Sequence, residues 1–299
     1  MPIEGFRKFC LSVVLLKFIN SELRTPHSKL FHNLAQTPAP MSLIKKEIKD
    51  NIGTICFNND EKRNSLSAEL MEEFYEAFDL MEAKKVRVII LRANAGVRVW
   101  CAGLNIKELP EPGNDPIFYH HPLEKIMRRI QKLPVPVIAM IDGSVWGGGC
   151  DLSFVCDILI GTKNASFAIT PAKIGVPYNT TGIVHFLNMV DLNIAKEMFF
   201  TARPIGAEKA ENLGILNHLV EEDKLESFTY DMAGDIASNS PLSIAVIKEQ
   251  LNIMGAAKPI NSEFYEIIDE LRQKAFNSND YREGIKAFYE KRKPKFTGE

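Results

Sequence analysis

Residues 138–151 read Ile-Ala-Met-Ile-Asp-Gly-Ser-Val-Trp-Gly-Gly-Gly-Cys-Asp, and the fold of the whole chain turns on how they are interpreted. An apolar run of strand type over 135–141 breaks at Asp142-Gly143 and reaches three consecutive glycines before Asp151 opens a segment of helical character. Strand, glycine-rich turn and helix start is the predicted order. Glycine has no Cβ, so such a turn lets another group approach the backbone closely, and the first amides of the new helix have no intrahelical partner. Free amides at that end attract negative charge. From this stretch alone, a tight turn with no chemistry reads equally well. A nucleotide loop fits less well: Gly143 and Gly148 have P-loop spacing, but Gly149-Cys150 stands where Lys and Ser or Thr are needed.

A second stretch upstream has the same character. A strand over 86–91 (VRVIIL) leads to a loop ending Trp100-Cys101-Ala102-Gly103-Leu104-Asn105-Ile106. Two strands therefore each deliver a turn of small residues, and amides from both could converge on one oxygen.

Around these stretches the chain alternates strands and helices. A hairpin-like pair is predicted over 44–48 and 54–57, turning at 50–53, followed by a helix over 68–84 with Ser67 as its N-cap. After a Pro- and Gly-rich stretch, 107–115, expected to be mobile, Pro122 starts a helix carrying Leu123, Ile126, Met127 and Ile130 on one side. The strand over 135–141 and a helix over 151–156 complete a second parallel crossover, and further strands follow over 157–161 and 166–169. The class is α/β. Beyond Thr181 the pattern turns helical, over 183–190, 194–201, 207–212, 225–239, 241–254, 262–276 and 280–290, with a single strand over 215–220.

At 299 residues the chain can bury a large core. Its net charge of −2 gives no reason to expect nucleic acid or an acidic membrane as partner. No run of eighteen apolar residues suggests a conventional membrane span. Cysteines at 10, 56, 101, 150 and 156 form no CxxC pair, which points to reduced thiols in a cytoplasmic compartment, and no HExxH or spaced Cys/His set suggests a metal. Residues 1–40 stand apart as an extension, read as disordered or loosely attached; if they were a targeting segment, the location would be mitochondrial.

The paired turns resemble the crotonase (enoyl-CoA hydratase/isomerase) superfamily, from about Met41 to the C-terminus. The resemblance rests jointly on GSVWGG at 143–148, TPAKIGVPYN at 170–179, GILNHLVE at 214–221 and AFYEKRKPKF at 287–296, and within the superfamily these motifs look most like those of decarboxylases acting on methylmalonyl-CoA. It implies a spiral of ββα units over 41–238 and a helical trimerisation region over 239–299, assembled as a homotrimer or dimer of trimers. It also implies an acyl-CoA substrate, with no cofactor and no metal, since a thioester enolate is its own electron sink. The family's oxyanion-hole amides fall on Leu104 and Gly148, the former replacing a histidine of the related decarboxylases. Hydratases of the superfamily use two glutamates. Here Asp151 fills the first position and Pro171 the second, and proline moves no proton. The resemblance makes Tyr178 a donor to the substrate carboxylate, with Ile174, Val176 and Trp146 as apolar surround. It assigns CoA recognition to Lys62, Arg63, Ala102, Gly103, Ile106, Phe288 and Lys291. Two other functions stay open on these residues: a hydratase or isomerase working with Asp151 alone, and a non-catalytic acyl-CoA-binding scaffold.

Overall fold

The structure, a computed structural model, describes residues 42–109, 111, 119–255 and 262–299. The extension over 1–40 and most of the stretch expected to be mobile lie outside the described residues. Residues 42–299 form one compact unit.

The described residues open with the hairpin β1 (Ile44–Lys49) and β2 (Ile52–Phe57). Asp50 and Asn51 carry its turn, both at positive φ, so the loop is two residues rather than the four expected. Helix α1 (Ala68–Ala83) follows, capped by Ser67, whose hydroxyl accepts from the Leu70 amide. Its stripe of Leu70, Met71, Phe74, Ala77, Phe78 and Met81 is buried, each large side chain contributing roughly 1.5–3 kcal/mol.

From here one unit repeats. β3 (Val88–Ala93) is followed within six residues by β4 (Val99–Cys101), then α2 (Pro122–Lys132). β5 (Val137–Ile141) leads to β6 (Ser144–Trp146) and α3 (Gly148–Phe154). β7 (Ile158–Gly161) leads to β8 (Ser166–Ala168) and α4 (Thr180–Met189). The first strand of each unit joins one sheet and the second joins another, so the chain winds as the expected ββα spiral. The larger sheet has the order β1-β2-β3-β5-β7-β10, and the smaller β4-β6-β8-β9. From β2 onward the larger sheet is parallel, and its central strands are buried along their length.

The remainder comprises α5 (Leu192–Thr201), β9 (Ile205–Gly206), α6 (Ala207–Asn212), β10 (His218–Leu219), α7 (Leu225–Ser238), α8 (Pro241–Gly255), α9 (Ser262–Asn277) and α10 (Asn279–Tyr289). Two sequence readings need correction. β4, β6 and β9 are additional strands, each of two or three residues and too short to show a period of two. Helix α3 begins at Gly148 rather than Asp151, because β6 occupies part of what reads as turn and the glycines themselves form the helix start.

Helix α10 braces the site from outside. Its Gly284 lies so close to residues 171–174 that a Cβ there would stand 2.2 Å from the Ile174 carbonyl oxygen. Backbone cannot yield as a flexible side chain does, so Gly284→Ala is expected to cost about 1–3 kcal/mol, read as a lower urea midpoint.

Candidate active site

Parallel neighbouring strands end at the same edge of a sheet, and that rule builds this site. β4, β6 and β8 lie side by side in parallel, with Cys101 opposite Val145 and Trp146 opposite Ala168. The segments leaving the three strands therefore meet at one edge: Ala102-Gly103-Leu104, Gly147-Gly148, and Ile169-Thr170-Pro171. The buried indole of Trp100 donates to the Met140 carbonyl at 2.8 Å, pinning β4 to β5. The Asn64 side chain donates to the Trp100 carbonyl at 3.1 Å from the other side.

The first two loops are in close contact. A Cβ on Gly103, which has φ +80°, would lie 2.4 Å from the Trp146 carbonyl oxygen and 3.0 Å from the Gly148 nitrogen. A Cβ on Gly148 would lie 3.4 Å from the Leu104 nitrogen. At Gly103 the loops can touch this way only with glycine. Among the described residues, neither the Leu104 nor the Gly148 amide donates to a protein group. Ala102 differs: its amide is committed to the Arg63 carbonyl at 3.0 Å.

Both unpartnered amides belong to residues lining a cavity of about 90 Å³. Its walls are mainly apolar, with Leu104, Ile106, Leu109, Leu123, Ile174 and Val176, and its polar lining includes Asp151, Tyr178 and Asn179. Whole-ligand pockets run to roughly 300–1,000 Å³, so a space this small suits the short acyl head of a longer molecule.

Tyr178 is half-buried, its ring edge-on to Phe186 and Phe199 at 5.7 and 5.0 Å and its hydroxyl 3.3 Å from the Gly147 carbonyl oxygen, to which it donates. Burial, with Asp151 nearby, pushes the phenol well above its ordinary pKa, so it remains a donor. Asp151 lies in the first turn of α3 and is buried; its Oδ1 is 2.6 Å from Nδ1 of His185 on α4. Burial works against charge on that imidazole, but the hydrogen bond and charge of Asp151, with Glu124 beyond, outweigh it and raise its pKa above the ordinary value. Glu124, buried on α2, is raised chiefly by its burial, against the hydrogen bond from Thr181 at 2.7 Å; Asn179 also donates to it.

None of His185, Glu124 and Asn179 is among the site residues expected from the sequence. A histidine between Val184 and Phe186 carries no local sign of a partner 34 residues upstream.

Of the expected residues, Leu104, Gly148, Asp151, Tyr178, Ala102, Ile106, Pro171, Ile174 and Val176 line the one cavity. Trp146 does not. Side chains alternate along a strand, and with Val145 buried, Trp146 turns to the other face, where its indole donates to the Ser144 hydroxyl at 2.8 Å. Leu109, Leu123 and Pro177 supply the apolar wall in its place. Lys62 and Arg63 are exposed beside Ala102, outside the cavity lining. Phe288 and Lys291 are also exposed, near the end of α10, and do not reach this cavity within the chain. Arg292, in the basic run with Lys291, is engaged by Glu283 at 2.6 and 2.8 Å.

A ββα spiral that brings two amide-bearing turns together over a small apolar cavity defines the class, and the chain belongs to the enoyl-CoA hydratase/isomerase family, whose model matches residues 47–299. It is 44% identical over 249 residues to methylmalonyl-CoA decarboxylase of Escherichia coli (strain K12), an alignment covering 83% of this chain and 95% of that protein. Among solved structures it resembles methylmalonyl-CoA decarboxylase complexed with 2S-carboxypropyl-CoA, with a TM-score of 0.85 and 42% identity over 87% of this chain and all of the other. It is equally similar to that enzyme in complex with 2-nitronate-propionyl-CoA, at a TM-score of 0.84 and 42% identity over 86% and 99% of the two chains.

Proposed function

We propose that this protein decarboxylates methylmalonyl-CoA to propionyl-CoA without a cofactor. The observation that carries the reading is the pair of unpartnered amides of Leu104 and Gly148, side by side at an apolar cavity whose wall has Pro171 where hydration would want a second glutamate. Scission of the bond to the α-carboxylate sends its electron pair into the thioester, and negative charge grows on the carbonyl oxygen. Two preorganised N–H donors aimed there lower the barrier, each by roughly 2.7–4 kcal/mol. Because the donor is main chain, Leu104 serves where the related decarboxylases carry histidine.

Tyr178 donates to the departing carboxylate and holds it perpendicular to the thioester plane, so that the breaking bond overlaps the carbonyl π system. The apolar walls withhold solvation from that carboxylate. The CoA arm leaves past Ala102, Gly103 and Ile106 toward Lys62 and Arg63, whose charges suit its phosphates. Phe288 and Lys291 meet the CoA of a neighbouring subunit in a homotrimer or dimer of trimers. The exposed apolar residues of α8 and α9, among them Leu242, Leu251, Met254 and Leu271, support that assembly.

A second reading, hydration with Asp151 as sole proton carrier, is favoured by the position of that carboxylate in the cavity lining. One assay separates the two. Purified protein given methylmalonyl-CoA should release CO2 and propionyl-CoA, and should leave crotonyl-CoA unhydrated; turnover of crotonyl-CoA alone would reverse the assignment, and binding without turnover across both would leave a scaffold.

A further inference from the structure

Loss of CO2 leaves an enolate that must gain one proton at Cα, and the amide pair that stabilises it holds no acid. Of the described residues lining the cavity, only Asp151 and Tyr178 carry an ionisable side chain. Tyr178 keeps its proton, because burial and nearby Asp151 hold its phenol well above the ordinary value. That leaves Asp151, buried and without supply from the substrate side once the acyl group fills the cavity.

The supply lies behind it. His185 holds Asp151 Oδ1 at 2.6 Å through Nδ1, and the same residue lines a second cavity of about 780 Å³ on the far side, whose walls include Arg128, Asp157, Asn188, Lys248 and Glu249. Asp151 lines the inner cavity and not the outer one, while His185 lines the outer and not the inner. The pair is thus a bridge between two spaces that share no lining residue.

We propose that His185 and Asp151 form a proton relay joining the two cavities, which delivers from the outer one the proton that quenches the enolate. This rests on the decarboxylase reading. The resting pair shares one proton between His185 Nδ1 and Asp151 Oδ1, and the hydrogen bond and charge of Asp151, with Glu124 beyond, favour that proton on the ring. The Nδ1–H bond breaks, its proton passes through the Asp151 carboxyl group, and the enolate's electron pair forms the new Cα–H bond as the carbonyl is restored. Asp151 is left ionised and the ring neutral. Rotation of the neutral ring about its Cβ–Cγ bond then carries the bare Nδ1 away from Asp151 to the outer side, where it takes a proton from a hydronium ion, and the return rotation restores the bond to Asp151 Oδ1.

The charged groups around the imidazole favour this cycle. Asp151 on α3 and Glu124 on α2 face it and favour its protonated form. Arg128 is 3.6 Å from Glu124 and shares the outer cavity with Lys248, which is itself paired with Asp157 at 2.7 Å. His185 acts through Asp151 and is a positioning residue; Asp151 is the group that meets the substrate.

The test uses full-length His185→Asn, whose side-chain amide can replace the Nδ1 donor but cannot titrate. We expect kcat on methylmalonyl-CoA to fall on the order of a hundredfold with KM little changed. Wild-type kcat should decline as pH rises through the raised histidine pKa, and that limb should be missing in the variant. Nitrogen-15 NMR titration of the six histidines, assigned through the variant, should find His185 titrating above a free imidazole, whatever the activity. If His185→Asn folds poorly, His185→Ala with added imidazole should recover turnover through the outer cavity. A folded variant with wild-type kcat and pH profile, or a His185 titrating at or below the free value, overturns the relay alone. Wild-type protein that makes no propionyl-CoA overturns the decarboxylase reading, and the relay with it.

Discussion

Gly148→Pro lowers turnover of methylmalonyl-CoA by on the order of a hundredfold or more while the protein stays folded. The expectation combines chemistry with helix position. Gly148 is the first residue of α3, and its amide makes no bond to the protein among the described residues, so proline removes no structural hydrogen bond there. Proline is well tolerated at the first position of a helix. The ring carbon replaces the amide hydrogen that would point at the thioester oxygen, so the donor is lost and its place filled. The new Cβ meets Leu123 Cδ2 at about 3.2 Å, the end of a flexible side chain that can give way. The measurement is kcat beside a thermal melt. A folded variant that keeps a third of wild-type activity would remove this amide from the mechanism.

Tyr178→Phe is the second large effect, expected to lower kcat by on the order of a hundredfold. The ring stays, and with it the edge-on packing against Phe186 and Phe199, so the loss reports on the hydroxyl. That hydroxyl makes one bond of 3.3 Å to the Gly147 carbonyl oxygen, a bond long enough to exchange for a substrate carboxylate at little cost. Stability should fall by no more than about 1 kcal/mol, the net worth of one ordinary hydrogen bond. Unchanged turnover would leave the geometry of the carboxylate to the apolar walls alone.

The pair of variants distinguishes two demands of one reaction. The amide acts on charge that appears only as the bond breaks, so its loss belongs in kcat. The phenol touches a carboxylate already present in the bound substrate, and its loss can also show in KM.

Much of this architecture is legible in the residues alone. Helices over 68–84, 207–212 and 225–239 fall within one residue of α1, α6 and α7, because their apolar spacing and, for α1, the Ser67 cap are local signals. Leu104, Gly148 and Tyr178 are readable from motif resemblance, and they line one cavity. Trp146 departs from expectation because a three-residue strand is too short for its alternation to stand out, and only β6 decides which face the indole takes. The helix starts at Gly148 instead of Asp151 for a related reason: consecutive glycines read as a turn when nothing tells which of them adopt helical angles.

By itself the sequence determined the order of the longer strands, glycine turns and helices, and which turns had amides to spare, since periodicity, glycine and proline act over a few residues. Only the tertiary structure decided that the turns after β4 and β6 lie against each other, and that Asp151 faces His185 between two cavities. Contacts across tens of residues depend on how parallel strands register and how helices pack over them, and no local pattern records that.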